Sequence, residues 1–292
     1  MKLDIQAGLD FPALAADDRL QPVLSGAMQK LGVRHGGRPV VWPASFFALD
    51  RVGAFADADE AVRRRILERC SLQLVEEAWF IERAGMAFAA RMCLEAPTLE
   101  ERQLYACFAA DEAAHTTLVR GYLPADGAEA KPSGFHDYLA QLIEGGARST
   151  LIAVVQVALE GWGLTHYRRL ATSCPDPELA TALHSILRDE ARHHGSGVVL
   201  CARQDLSGRN GDEAVGFLAT MLDMVRAGPV AVMEVLDEEL DLGPARARVL
   251  DELDAPGQIA DRLTMLRGLL SGAVPDELLA RLADRFGPPG SA

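Results

Sequence analysis

Two pentapeptides hold the residues best suited to bind a metal ion: Asp111-Glu112-Ala113-Ala114-His115 and Asp189-Glu190-Ala191-Arg192-His193. Each reads Asp-Glu-x-x-His. On a helix, positions i and i+3 share a face, so the carboxylate and the imidazole can take one ion side by side. One such motif arises often by chance on solvated helices. The setting of these two is more telling. Glu82 and Glu112 stand fifteen residues before and after Pro97, and Glu160 and Glu190 stand fifteen residues before and after Pro175. In an antiparallel helical hairpin, equal distance from the turn means equal height. Both hairpins therefore repeat one construction: Glu, then thirty residues on, Glu-x-x-His.

The neighbours of these residues are those of buried faces. Ala78, Trp79, Gly85 and Met86 lie near Glu82, and Phe108, Ala109 and Ala113 near Glu112. Glu160 ends the apolar run Ile152–Leu159, and Ile186 and Leu187 precede Glu190 by one turn. Carboxylates on apolar helical faces are costly unless paired or bound to a cation. Four brought to one level would repel one another strongly without one. Glu77, with Glu76 beside it, is the rival to Glu82 but sits more than a turn further from Pro97. His194 is the rival to His193, although Thr116 holds the equivalent place in the first hairpin. The remaining histidines, His35, His136, His166 and His184, read as ordinary solvated or core residues. Gly161 and Gly163, inside a helix, call for a reason, either close packing or space beside a ligand. Gln156 is polar within an apolar run and is either a substrate contact or a hydrogen-bonded core residue. Trp79, Met86, Phe108, Gln156, Gly163 and Ile186 are the candidate pocket residues.

The elements needed to position these groups are helices. Residues 61–95 hold no proline and one glycine, with apolar residues at helical spacing. Thr98-Leu99-Glu100-Glu101 reads as a capping box opening a second helix to about Tyr122. A third runs from about Phe135 to Thr172, with a kink or break at Gly145-Gly146, and a fourth from the Cys174–Pro177 turn to about Arg203. Residues 1–55 read as an irregular arm or short helices, because Gly36-Gly37, Pro39 and Pro43 bar a long helix there. Residues 56–205 form the bundle. Residues 206–292 read as a helical extension, broken near Pro229, Gly243 and Pro256 and frayed at its end. With 6% aromatic residues and abundant alanine and leucine, the chain is expected to be all-α. A formal net charge of −13 argues against nucleic-acid binding. No apolar run is long enough to cross a bilayer, and the first residues lack the apolar stretch of a signal peptide. The five cysteines include no CxxC pair and fit a reducing, cytoplasmic setting.

Glu82, Glu112/His115, Glu160 and Glu190/His193 resemble the ligand set of the ferritin-like di-iron carboxylate proteins. Those proteins take a glutamate from each of two helices and a Glu-x-x-His from each of the other two. The resemblance covers about residues 60–205 and implies an antiparallel four-helix bundle with N- and C-terminal helical extensions. It implies two iron ions, with manganese as a substitute, and it implies that Asp111 and Asp189 support the metal-bound histidines. For activity it implies oxygen-dependent oxidation of a small organic substrate, by hydroxylation, N-oxygenation, desaturation or oxidative cleavage, with an external electron donor and a homodimeric assembly. The alternative is a ferroxidase or iron-handling protein. Against it, ferritin subunits are little more than the bundle, whereas this chain has extensions at both ends. The resemblance is incomplete in two respects. Ile186 stands where a related N-oxygenase group has an extra histidine, and Val119 stands where radical-generating ribonucleotide reductase subunits have a tyrosine.

Overall fold

The computed structural model describes residues 14–15, 17–32, 37–124, 134–254 and 257–287. Among them there are helices and turns and no β-strand, only an isolated bridge between Ser271 and Val274. The expected turn at Gly36, the loop around Gly127 and Pro132, His35, the break at Pro256 and the frayed end after Gly287 lie outside the described residues. The chain divides into two compact units, residues 1–39 with 74–151 and residues 40–73 with 152–292.

The first unit contains α1 (Leu20–Lys30), the second part of α3 (Glu60–Glu95), α4 (Leu99–Arg120), α5 (Gly134–Gly145) and α6 (Arg148–Leu151). Helix α1 is a short helix within the segment expected to form an irregular arm or short helices; its one buried residue is Met28. The capping box forms as expected, with the Glu101 N–H donating to Thr98 Oγ1 at 3.2 Å. It starts α4 immediately after the Pro97 turn. The α3–α4 hairpin keeps the register set by that proline. Phe88 meets Tyr105 edge-on, with ring centroids 6.1 Å apart, and Cys93 Sγ lies 3.3 Å from the Arg102 carbonyl. Helix α5 ends at the expected Gly145-Gly146 break. There the buried Arg91 guanidinium donates to the carbonyls of Ile143 and, at 2.7 Å, Gly146. These are end-of-helix carbonyls that have no intrahelical donor, and Glu95 holds the same arginine through Nε at 2.8 Å.

The second unit begins with an extended segment whose Trp42 is 2% exposed. Its backbone N–H donates to Ser71 Oγ at 2.9 Å and its Nε1–H to the Leu170 carbonyl at 3.3 Å. Two 3₁₀ turns and α2 (Gly53–Asp57) follow, then the first part of α3. The site-bearing hairpin of this unit is α7 (Glu160–Ser173) and α8 (Pro177–Cys201), and Asp176 caps α8 by accepting the Leu179 N–H at 2.7 Å. Leading into α7, Ile152–Leu159 winds as a π-helix, and seven of its eight residues are buried. Runs this long are rare, because each wide i→i+5 turn opens the axis and loses contacts. Here Gly197 of α8 lies so close that a Cβ would stand 2.7 Å from Gln156 Cγ and 2.8 Å from its carbonyl oxygen.

The rest of the second unit is α9 (Gly208–Arg226), α10 (Val230–Leu240), α11 (Arg246–Leu253), α12 (Gln258–Leu270) and α13 (Asp276–Arg281). An 18-residue window within residues 208–240 is long and apolar enough to cross a membrane. Gly228, at φ +78°, and Pro229 break that stretch into α9 and α10. Helix α12 runs antiparallel to α7: Leu269 lies where a Cβ on Gly161 would be, at 2.8 Å, and Thr165 Oγ1 is 3.1 Å from Met265 Sδ. Gly161 is therefore explained by close packing.

Candidate metal centre

Each unit brings together one glutamate and one Glu-x-x-His pair. In the first unit, Glu82 comes from the middle of α3 and Glu112 and His115 from one face of α4. The three are 1%, 4% and 4% exposed. His115 Nδ1 lies 3.0 Å from Glu82 Oε2 and 3.7 Å from Glu112 Oε2. In the second unit, Glu160 opens α7, and Glu190 and His193 share a face of α8. His193 Nδ1 lies 3.9 Å from both Glu160 Oε2 and Glu190 Oε2. Within each trio the donor atoms all lie within 4.8 Å of one another.

The electrostatics of the first trio are those of a site built for a cation. Burial pushes the Glu82 carboxyl up to about 8, Glu112 adds to the rise, and His115 opposes it. Glu82 Oε1 is buried and has no hydrogen-bond partner among the described residues. An orphaned acceptor of this kind is costly in a protein interior. Donor atoms held about 2.0–2.2 Å from one first-row ion lie within roughly 4.4 Å of one another. Separations of 3.0, 3.7, 3.9 and 3.9 Å meet that condition. In both trios Nδ1 faces the carboxylates, which leaves Nε2 as the edge for outward support. Space is provided as well. Gly85 has no side chain where a Cβ would stand 2.8 Å from Glu112 Oε2, and at Gly163 a Cβ would come only to 3.9 Å from Glu190 Oε2. The residues present fit metal ions.

The rivals fall elsewhere. Glu77 is exposed, and neither it nor His194 joins a metal-capable grouping among the described residues. His194 Nδ1 faces the Val157 carbonyl at 3.1 Å and so ties α8 to the π-helix. Gln156 is a hydrogen-bonded core residue: its Nε2 donates to the His193 carbonyl at 3.1 Å and to Ser196 Oγ at 2.9 Å, fixing the turn that presents His193. Of the candidate pocket residues, Phe108 and Ile186 are buried at 3% and 0%, whereas Met86 is 37% exposed. Met86 is thus on the outside, because Gly85 and not its neighbour faces Glu112. Trp79 is capped by the Arg83 and Arg120 guanidinium groups, at 4.7 and 5.7 Å from its ring centre. Asp189 pairs with Arg192 at 2.6 Å. The sequence reading missed the π-helix and the roles of Gly85 and Gly197. The β-branched run Ile152, Val154, Val155 and Val157 crowds an α-helix slightly but does not by itself signal a π-helix.

A search of curated proteins finds no match to this chain. A comparison with protein families does find one, and it spans all six residues of the two trios: residues 70–198 match the ferritin-like domain.

Proposed function

We propose that this protein is a non-haem di-iron oxidoreductase that uses dioxygen to oxidise a small organic substrate. Each trio takes one ion, giving two per chain, with Glu82, Glu112 and His115 on one and Glu160, Glu190 and His193 on the other. The observation behind the reading is the buried first trio with its orphaned Glu82 oxygen, in a ferritin-like domain that repeats the same ligand set. Oxygen and nitrogen donors together suit iron or manganese better than a closed zinc site. When bound, ferrous iron supplies the electrons that activate dioxygen. Hydroxylation as an example consumes R–H, O₂, two electrons and two protons and yields R–OH and water, so an external donor must supply the electrons.

The protein's own groups do the rest. Glu82 holds a proton near neutrality when no cation is beside it and gives it up when one binds. His115 Nδ1, 3.0 Å from its Oε2, is placed to bind the same ion, so that proton must leave to solvent. Phe88, Tyr105 and Phe108 are stacked edge to face on one side of the first hairpin, and Ile152–Ala158 are buried ahead of Glu160. Both keep water from the carboxylates. Asp111 and Asp189 remain the candidates to steady the histidines. The unpaired cysteines fit a reducing compartment.

Ferroxidase activity uses the same ligands and is the competing reading. Loading the purified chain with ferrous iron under anaerobic conditions is expected to bind about two metal ions. Admitting oxygen should then give a visible absorption band. Glu112→Ala and His193→Ala should lose both while keeping their helical circular dichroism. Wild-type protein that binds no iron would overturn the metal assignment. A 24-subunit shell that accumulates ferric mineral would overturn the enzyme reading, and a monomer or dimer whose oxygen uptake requires reductant and organic substrate would support it.

A further inference from the structure

We propose a second binding site, for a small oxyanion, formed by His166 and Arg169 of α7 and Arg262 of α12. His166 and Arg169 are three residues apart and so share a face of α7. The pairs Gly161–Leu269 and Thr165–Met265 set the antiparallel register of the two helices. Four residues further along α7 and three back along α12, that register brings Arg169 level with Arg262. All three residues belong to the second unit.

Three observations say what the site takes. The first is unbalanced charge. Among the described residues, neither Arg169 nor Arg262 has a carboxylate at ion-pair distance, although the chain as a whole carries −13. Arg169 gives one N–H to the Phe46 carbonyl and lies over the Phe46 ring at 4.5 Å, which leaves its remaining donors uncommitted. The acid that acts on Arg262 is Asp254, whose Oδ1 accepts the Ile259 N–H at 3.2 Å. The second is an orphan: His166 Nε2 is shut off from solvent and has no hydrogen-bond partner. The third is mutual repulsion. Arg169 is exposed and Arg262 half-buried; partial burial lowers the pKa of both, and Arg262 lowers that of Arg169 further. Burial likewise pushes His166 down to about 4, with both arginines adding to the effect, so its ring is neutral. Two guanidinium groups that repel each other beside a neutral imidazole with an unused nitrogen lack one component, an anion. A carboxylate or phosphate oxygen can accept from both arginines and from an Nε2–H. The site does not depend on bound metal.

The test uses the full chain in phosphate-free buffer at constant ionic strength. Sodium phosphate in one arm and sodium acetate in the other replace sodium chloride, and the thermal midpoint is followed. A ligand that binds only the folded state raises it in a saturable way. The expected result is a saturable rise in at least one arm, with an apparent affinity at least tenfold weaker in Arg262→Gln and unchanged in Arg267→Gln, an exposed arginine of the same helix. Saturation by phosphate alone assigns a phosphate-bearing ligand, and saturation by acetate alone a carboxylate. His166→Asn should weaken the response in the same arm and serves if Arg262→Gln fails to fold. No rise beyond that given by chloride, or equal rises in wild type and both site variants, overturns the proposal. Iron content is measured in parallel. It should be unchanged in Arg262→Gln, so failure here is distinct from failure of the di-iron reading.

Discussion

Replacing Gly85 by alanine should separate metal binding from folding. The added Cβ would stand 2.8 Å from Glu112 Oε2 and 2.9 Å from its Cδ. Ordinary carbon contacts are about 3.5–4.0 Å, so the carboxylate must retreat by roughly 0.7 Å or more. In the metal-free protein that retreat is cheap, because the carboxylate is the far end of a flexible side chain. Relief of a glycine inside α3 contributes about 1 kcal/mol in the other direction. The metal-free variant should therefore melt at the wild-type temperature or up to about 4 °C above it. The metal-loaded state has no such freedom, since ligand distances are tolerated only within about 0.2 Å. Iron affinity should fall by roughly 10- to 100-fold, the range seen when the surroundings of metal ligands are disturbed. That fall corresponds to about 1.4–2.7 kcal/mol.

Gly163→Ala is the matched control. Its Cβ would lie 3.9 Å from Glu190 Oε2, an ordinary contact. It should gain similar helix stability and keep iron affinity within about a factor of two. Anaerobic titration of ferrous iron against a competing chelator, with calorimetry of the metal-free forms, reads both quantities. If Gly85→Ala binds iron as tightly as wild type, Glu112 is not a ligand in the position described. If both variants lose affinity equally, the space argument fails.

Arg91→Met should cost about 3 kcal/mol in urea unfolding, because it leaves the Ile143 and Gly146 carbonyls without their donor in a buried place. His166 should weaken the fold toward acid. Its folded-state pKa of about 4 lies below the ordinary value near 6.5, so between those values the unfolded chain takes a proton that the folded chain refuses. Stability should fall by on the order of 1 kcal/mol per pH unit from about 6.5 to 4 and level off below, and His166→Gln should flatten that slope. Among the thiols, Cys107 is exposed and should react promptly with a thiol reagent at pH 8. Cys70 and Cys201, pushed by burial up to about 12 and about 11, should react only after unfolding. Equal reaction rates would contradict their placement.

The trios were legible in the sequence because hairpin register is arithmetic: once Pro97 and Pro175 are turns, residues equidistant from them must meet. The capping box at Thr98 and the break at Gly145-Gly146 were legible for similarly local reasons. The π-helix was not. Its residues have the periodicity of any buried helix, and only the approach of Gly197 to Gln156, a contact between segments forty residues apart, shows what the wide turns accommodate. Gln156 illustrates the same limit. A lone polar residue in an apolar run has two readings, and the deciding fact, its bonds to the His193 carbonyl and Ser196, belongs to the neighbouring helix. The placement of Met86 outside was hidden because one residue along a helix turns the side chain by about 100°. The cluster at His166, Arg169 and Arg262 depends on the packing of α12 against α7, which no spacing in the sequence discloses.

The same motif written twice has given two unequal sites, and the cause is the backbone around each. In the first unit Gly85 lets the Glu112 carboxylate lie against α3, 3.7 Å from His115 Nδ1, and Glu82 lies 3.0 Å from the same atom. In the second, Glu160 follows the π-helix and Gly163 stands clear of Glu190, and both separations widen to 3.9 Å. A tight, fully buried trio holds its donors in place and strains when a carboxylate must move. The second trio is the less buried of the two, its Glu160 side chain being 11% exposed. The π-helix bears on this directly, since its wide turns set where Glu160 begins α7, while Gln156 and His194 anchor it to α8 on either side of His193.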